Sequence, residues 1–276
     1  MLTDTLQILK RYQIKLDKRK GQNYLINRNT LLKIFDNAEF SLNDTVLEIG
    51  PGIGTLTIPM ASKVKRIIAI EQDQKIASIL KKRLKQSRID NVEVKEADAV
   101  KADFPKFNKV VSNLPYQISS PITFKILKYD FDFAILMYQL EFADRMTAEP
   151  GDSNYSRLSL MLHYCADTEK LFNVSPDDFY PPPKISSAVI KLIPNKKITV
   201  DQNLINVTRA LFQHKKKKTR NALLDSFHEI ADTDKQTNKT MVSKLDQYLL
   251  DKRVIKLQPE EVLEISHQLE ILLNQI

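Results

Sequence analysis

The chain has 276 residues, of which 42% are hydrophobic and 28% charged, and carries a formal net charge of +8. That is enough apolar material for one large domain or a medium domain with a small one, and the positive balance suits polyanionic partners. A single cysteine, Cys165, excludes an internal disulfide or a multi-thiolate zinc cluster and suits a reducing interior; no apolar run reaches the roughly 20 residues of a membrane span, and the N-terminus shows no secretory signal.

The first twenty residues read as a partly mobile basic arm, with "KRYQIKLDKRK" running from Lys10 to Lys20. From Asp44 the pattern alternates between β-branched apolar runs and amphipathic ones. Strands are expected at 45–50, 66–71, 91–98, 108–113 and 131–139. Helices are expected after "GPGIG" through Ser62, and at 74–86, 120–128, 141–148 and 157–166. Two later strands, 170–176 and 184–194, suit an antiparallel edge. Strands alternating with helices mean a mostly parallel sheet covered on both faces. After Pro194 the apolar spacing is helical at 203–213, 219–230, 238–250 and 259–276, with "DTDKQTNKT" (232–240) as a polar loop. The expected division is therefore an arm at 1–20, an α/β domain at 21–194 and a helical domain at 195–276.

The turn "GPGIG" places Gly50, Gly52 and Gly54 after the first strand of the alternating region, where ligands bind in open α/β sheets. Glycine lets the backbone bend tightly and approach a ligand closely. A dinucleotide fingerprint wants G-x-G-x-x-G, but Thr55 holds the last position. Glu71, ending the second strand, can accept from two ribose hydroxyls. Asp98, after the third, can accept from an adenine amine. Each residue alone is most simply a turn glycine, a strand-end acid or a cap. Ordered on successive strands, they read as an S-adenosylmethionine site.

The fourth strand ends in Asn113-Leu114-Pro115-Tyr116. Such a tetrapeptide can be a plain strand-terminating turn. Beside a methyl-donor site it has a sharper use. The Asn113 amide oxygen and the Leu114 carbonyl can accept both hydrogens of an adenine N6 amine and free its lone pair. Pro115 stiffens the turn and Tyr116 can stack on the base. Phe179, ahead of three prolines in "FYPPPKISSAV", is the expected second face of that sandwich. The four histidines show no ligand spacing, so no metal is expected. The basic runs, including "HKKKKTR" (214–220), expected to open the second helix of the helical domain, are either RNA-contacting or solubilising surface.

"GQNYL", "LEIGPGIGTLT", "SNLPYQISSPI", "MYQLEFADRM", "RLSLM" and "FYPPPKISSAV", in this order, resemble the small-subunit ribosomal RNA adenine dimethyltransferases of KsgA type, the archaeal branch in particular. The resemblance implies a Rossmann-like class I methyltransferase sheet with a small all-α C-terminal domain. It implies S-adenosylmethionine as donor and dimethylation of N6 of two adjacent adenosines in a loop near the 3′ end of small-subunit rRNA. The substrate would be a pre-ribosomal particle. From the sequence itself a cytoplasmic monomer without membrane association is expected. Carried over by position, Asn23, Leu25, Gly50, Glu71, Asp98 and Asn113 bind the donor, and Gly52 of the glycine turn is expected to join them. Asn113, Leu114, Pro115, Tyr116 and Phe179 form the target site. Lys18, Arg19, Lys20, Lys215, Lys216, Lys217, Lys218 and Arg220 are the expected RNA contacts. Two departures stand out: Tyr24 replaces the commoner Phe, and Tyr180 and Pro182 vary the loop around Phe179. The alternatives are a large-subunit rRNA adenine methyltransferase of the antibiotic-resistance type and a silent RNA-binding assembly factor. A nicotinamide oxidoreductase ranks third.

Overall fold

The central sheet is built from runs that are apolar on both faces. In the computed structural model, which describes residues 1–14, 23–195 and 198–275, these runs become β2 (Thr45–Ile49), β3 (Arg66–Glu71), β4 (Val92–Glu96), β5 (Lys109–Asn113) and β6 (Phe133–Gln139). Val46, Leu47, Ile67, Ile68, Val110 and Val111 are fully buried, as strands covered on both faces require. Two late strands, β7 (Ala166–Val174) and β9 (Ser187–Pro194), complete the sheet, and β1 (Tyr24–Leu25) pairs separately with β8 (Phe179–Tyr180). Among the described residues the sheet order is β4-β3-β2-β5-β6-β9-β7. Pairing is parallel from β4 through β6 and antiparallel between β6 and β9, as the late strand pair predicts.

Helices cover this sheet: α1 (Leu2–Arg11), α2 (Arg28–Ala38), α3 (Thr57–Ala61), α4 (Gln74–Gln86) and α5 (Ser119–Ile126), with α6 (Leu140–Met146) after β6. Side chains just before two of them set their starts. Asn27 Oδ1 accepts from the amides of Asn29 and Thr30 at α2, and Asp73 Oδ1 from those of Lys75 and Ile76 at α4. The base of the sheet is locked by a buried ion pair, Lys109 Nζ to Asp44 Oδ2 at 2.9 Å. Burial alone would raise the Asp44 pKa. Hydrogen bonds from Asn108 and Lys109 outweigh it and hold the carboxyl below its ordinary value. Lys109 also donates to the carbonyl of Glu39 at 2.6 Å, so the pair is not left half-satisfied.

The chain forms two compact units, Met1–Ala143 with Thr168–Pro194, and Asp144–Asp167 with Asn195–Ile276. This differs from the expected division, which left 144–167 with the α/β domain. The reason is packing. Tyr155, Leu160 and Tyr164, on or before α7 (Arg157–Cys165), share a buried cluster with residues of α8 (Gln202–Gln213), α9 (Thr219–Asp225), α10 (Lys235–Ser243), α11 (Gln247–Asp251) and α12 (Pro259–Leu273). The Tyr155 and Tyr164 hydroxyls donate to the carbonyls of Leu257 and Pro259.

Other differences are local. The expected arm is helical over Leu2–Arg11, with Leu9 buried against Tyr24 and Ile53. The polar loop expected at 232–240 is mostly α10, because Asp234 accepts from the amides of Gln236 and Thr237 and starts a helix there. The single helix expected over 238–250 is broken where Asp246 caps α11. The run at 170–176 begins earlier, at Ala166, and the helix of the glycine turn begins only at Thr57.

Candidate active site

In the first unit, the carboxyl ends of β2, β3, β4 and β5 surround a cavity of about 520 Å³. It lies where the sheet order reverses, between β2 and β5, which is where open α/β sheets bind ligands. Asn23, Gly50, Gly52, Glu71, Asp98, Asn113 and Pro115, all singled out in the sequence, line it together.

The glycine turn supplies one wall. Gly50 has φ +69°, and a Cβ there would sit 3.0 Å from the Pro115 ring. Gly52 has φ +57°, and a Cβ there would come 2.8 Å from the Tyr24 ring. Both the left-handed backbone and the close approach therefore demand glycine. The turn is clamped to the next strand: Glu71 Oε2 accepts from the Gly52 amide at 3.1 Å and Oε1 from the Asp73 amide at 2.9 Å. Burial raises the Glu71 pKa above its ordinary value, with these amides pulling the other way. Asp98 Oδ1 accepts from the Val100 amide at 2.9 Å, which sets its carboxylate at the end of β4.

Asn113 ends β5 with its amide oriented. Nδ2 donates to the Asn23 carbonyl at 3.1 Å, which leaves Oδ1 as the acceptor end. The chain then turns through Leu114, whose side chain is buried, and Pro115 into a short 3₁₀ turn, Tyr116–Ile118. The Tyr116 hydroxyl shares a 2.7 Å hydrogen bond with Ser187 Oγ at the start of β9, so the ring is tethered at its far end. Burial raises its pKa, opposed by that bond.

Four expected residues do not line this cavity: Leu114 and Tyr116, which flank its wall on either side of Pro115, and Leu25 and Phe179, which lie in the core. Phe179 is 2% exposed and lies in the core with Leu25, to which it pairs across β1 and β8. It does not line the cavity, and its ring is covered in this structure. Leu25 is fully buried in the same cluster, so among the described residues of its segment Asn23 and Tyr24 line the cavity. Glu48, which no sequence motif marks, is a further member of the site. It is 1% exposed, lines the cavity, and its Oε2 has no hydrogen-bond partner. Burial, against a weaker pull from the Thr57 hydroxyl, pushes its pKa up to about 8. The available signal was an acid inside an otherwise apolar strand, "TVLEIG".

The basic run "HKKKKTR" leads into α9 as expected: Thr219 and Arg220 are its first residues, Lys218 is its N-cap, and Lys215–Lys217 lie just before it. Lys215 Nζ is turned onto the carbonyls of Ser153 and Tyr155, at 2.9 and 3.1 Å. Lys217 pairs with Asp225 at 2.7 Å and Lys218 with Asp251 at 3.1 Å, and Arg220 bonds Gln247. Lys216 is exposed, and its carbonyl accepts from Arg253. Lys18, Arg19 and Lys20 lie outside the described residues.

The cavity walls carry Glu48, Glu71, Asp73 and Asp98 and, among the described residues lining it, no Lys or Arg. Acidic walls suit a cationic sulfonium donor and disfavour a dinucleotide with its two phosphates. Sheet, glycine turn and acids together define a class I methyltransferase. The ribosomal RNA adenine dimethylase family matches residues 13–269, and the chain belongs to that family. Two relatives, each named "Probable ribosomal RNA small subunit methyltransferase A", are similar over almost their whole length. The one from Methanosphaera stadtmanae is 52% identical, covering 98% of this chain and 99% of its own; the one from Methanothermobacter thermautotrophicus is 50% identical, covering 98% and 97%. Among solved structures, a dimethyladenosine transferase from Plasmodium falciparum aligns at TM-score 0.77 and 34% identity, over 91% of this chain and 97% of that one. The 23S rRNA methyltransferase ErmE aligns at 0.66 and 26%, over 90% and 100%. As a member of the family, the chain is an S-adenosylmethionine-dependent rRNA adenine dimethyltransferase.

Proposed function

We propose that the protein dimethylates N6 of two adjacent adenosines in a loop near the 3′ end of small-subunit rRNA, within a pre-ribosomal particle. It acts as a cytoplasmic monomer. The observation that carries the reading is the oriented amide of Asn113 on the wall of an acid-lined cavity.

The donor supplies an electrophilic methyl group on a sulfonium. Glu71 would hold its ribose hydroxyls, Asp98 its adenine amine, and Glu48 its cationic amino group. An adenine N6 amine is a weak nucleophile because its lone pair is delocalised into the ring. Asn113 Oδ1 and the Leu114 carbonyl accept its two N–H groups and draw them out of the ring plane, which returns the lone pair to nitrogen. These dipoles are fixed beforehand, Asn113 by Asn23 and Leu114 by the rigid Pro115 wedged against Gly50, so no reorganisation is needed during the reaction. Tyr116 stacks on the flipped base with its ring held through Ser187, a contact worth about 1–3 kcal/mol. The proton displaced from N6 leaves to solvent, so no side-chain base is required.

The relatives named for the small subunit are 50–52% identical, against 26% for ErmE, which favours the small-subunit substrate over the large. The test is incubation with labelled donor and either unmethylated small subunits or large-subunit RNA, followed by mapping of the modified nucleotides. Label confined to two neighbouring adenosines of small-subunit rRNA is the expected result. Label on large-subunit RNA, or none, refutes it.

A further inference from the structure

Tyr24 is held where it is by its surroundings. Its backbone pairs with Tyr180, its ring lies against the Gly52 turn, and Leu9 and Ile53 pack with it. The residue is 5% exposed, and its ring forms part of the cavity wall. Its hydroxyl is shut off from solvent and has no hydrogen-bond partner. A phenylalanine would fill this space without that cost, which runs to about 1–3 kcal/mol for a buried unpartnered polar group.

The groups nearest in charge are the carboxylates of Glu71 and Asp73, on the ribose side of the cavity. After burial, they are what raises the Tyr24 pKa well above the ordinary phenol value. The hydroxyl therefore keeps its proton under all working conditions and is a standing donor. Both Glu71 oxygens are already engaged by backbone amides.

We infer that Tyr24 is a donor-affinity residue, whose hydroxyl makes its missing hydrogen bond with the ribose end of bound S-adenosylmethionine, beside Glu71. This rests on the reading of the cavity as the methyl donor's site. It assigns to the hydroxyl a role that a ring packed for shape alone would not have.

The test is Tyr24→Phe, measured by calorimetry and by melting of the full chain. Affinity for S-adenosylmethionine should fall about five- to tenfold. The same fall is expected for S-adenosylhomocysteine and for 5′-methylthioadenosine, which lacks the amino-acid end. A 2′,3′-dideoxy analogue of the latter should bind the two proteins equally. Without ligand, Tyr24→Phe should melt at the same temperature as the wild type or higher, because an unmatched buried group is gone. Equal affinity of both proteins for S-adenosylmethionine overturns the inference, and so does an equal loss for the dideoxy analogue. A lowered melting temperature of the unliganded variant also overturns it, since the hydroxyl would then be structural. If the wild type itself fails to bind S-adenosylmethionine, the reading of the cavity falls, and this inference falls with it.

Discussion

The two regions singled out for chemistry handle polar groups in opposite ways. At the cavity, Glu48 Oε2 and the Tyr24 hydroxyl are buried without partners, and three glycines sit at positive φ. In the basic run before α9, charge after charge is matched: Lys217 by Asp225, Lys218 by Asp251, Lys215 by two carbonyls. Unmatched buried polarity is costly and persists where a ligand will supply the partner. Matched surface charge is what a well-formed surface does anyway. A count of lysines therefore says less about a binding site than one orphaned carboxylate does.

The largest effect expected from this contrast is at Asn113. Asn113→Ala should lower methyl transfer about 10²- to 10³-fold, the usual cost of removing one fixed dipole from a charge-developing centre. The melting temperature should drop by only a few degrees, because the single hydrogen bond to Asn23 is lost. Turnover equal to the wild type would remove Asn113 from the chemistry and leave the strand end a plain turn.

Glu48 comes next, and the signature is in pH. The folded protein holds its proton up to about 8, whereas the ordinary value is 4.5. Its contribution is thus fully present below about 4.5 and is lost as pH rises to about 8, since ionising the buried group favours the unfolded chain. The loss is on the order of 5 kcal/mol. Asp44, with its lowered pKa, acts in the opposite direction at lower pH, so the test is the difference between the wild type and Glu48→Gln. That difference should grow steadily from pH 5 to 8 in denaturant titrations. A cationic donor placed beside Glu48 should also expel its proton, visible at pH 7 as a binding heat that changes with the ionisation enthalpy of the buffer. A flat difference, and a buffer-independent heat, would mean Glu48 is already ionised and partnered.

For Glu71→Ala, affinity for S-adenosylmethionine should weaken about 10- to 30-fold, while RNA affinity stays within twofold. Part of that loss is indirect, because Glu71 also clamps the Gly52 amide. Equal weakening of RNA and donor would show a collapsed turn rather than a lost ligand contact.

How much of this was legible depended on distance along the chain. The strands β2 to β6 and helix α4 were readable because each carries its own apolar period, and the glycine turn and Asn113–Tyr116 because each motif is contiguous. Phe179 was misread because its fate is set by a two-residue pairing with β1, far earlier in the chain, which no local pattern reports. The start of α10 was missed because one cap, Asp234, outweighs a run of polar residues. Glu48 sat in plain view, but a buried acid in a strand shows its lack of a partner only in three dimensions. Lys215 is the converse, a lysine in a basic run whose side chain turns onto backbone carbonyls.

The smallest effect expected concerns that basic run and asks whether its lysines are equivalent. If RNA binds there, an exposed lysine that replaces a counterion on phosphate contributes about one unit to the salt slope of binding. Lys216 is the candidate for a full contribution. Lys217 and Lys218 must first leave Asp225 and Asp251, so each should contribute less than half as much. Lys215→Met should leave the slope unchanged and instead lower stability by about 1 kcal/mol, through loss of its two carbonyl contacts. Single substitutions, assayed for RNA binding between 50 and 200 mM salt, separate these cases. Equal slopes for Lys216→Ala and Lys217→Ala would show that the ion pairs open freely on RNA. The matched charges would then be as available as the exposed one, and the contrast with the cavity would reduce to burial alone.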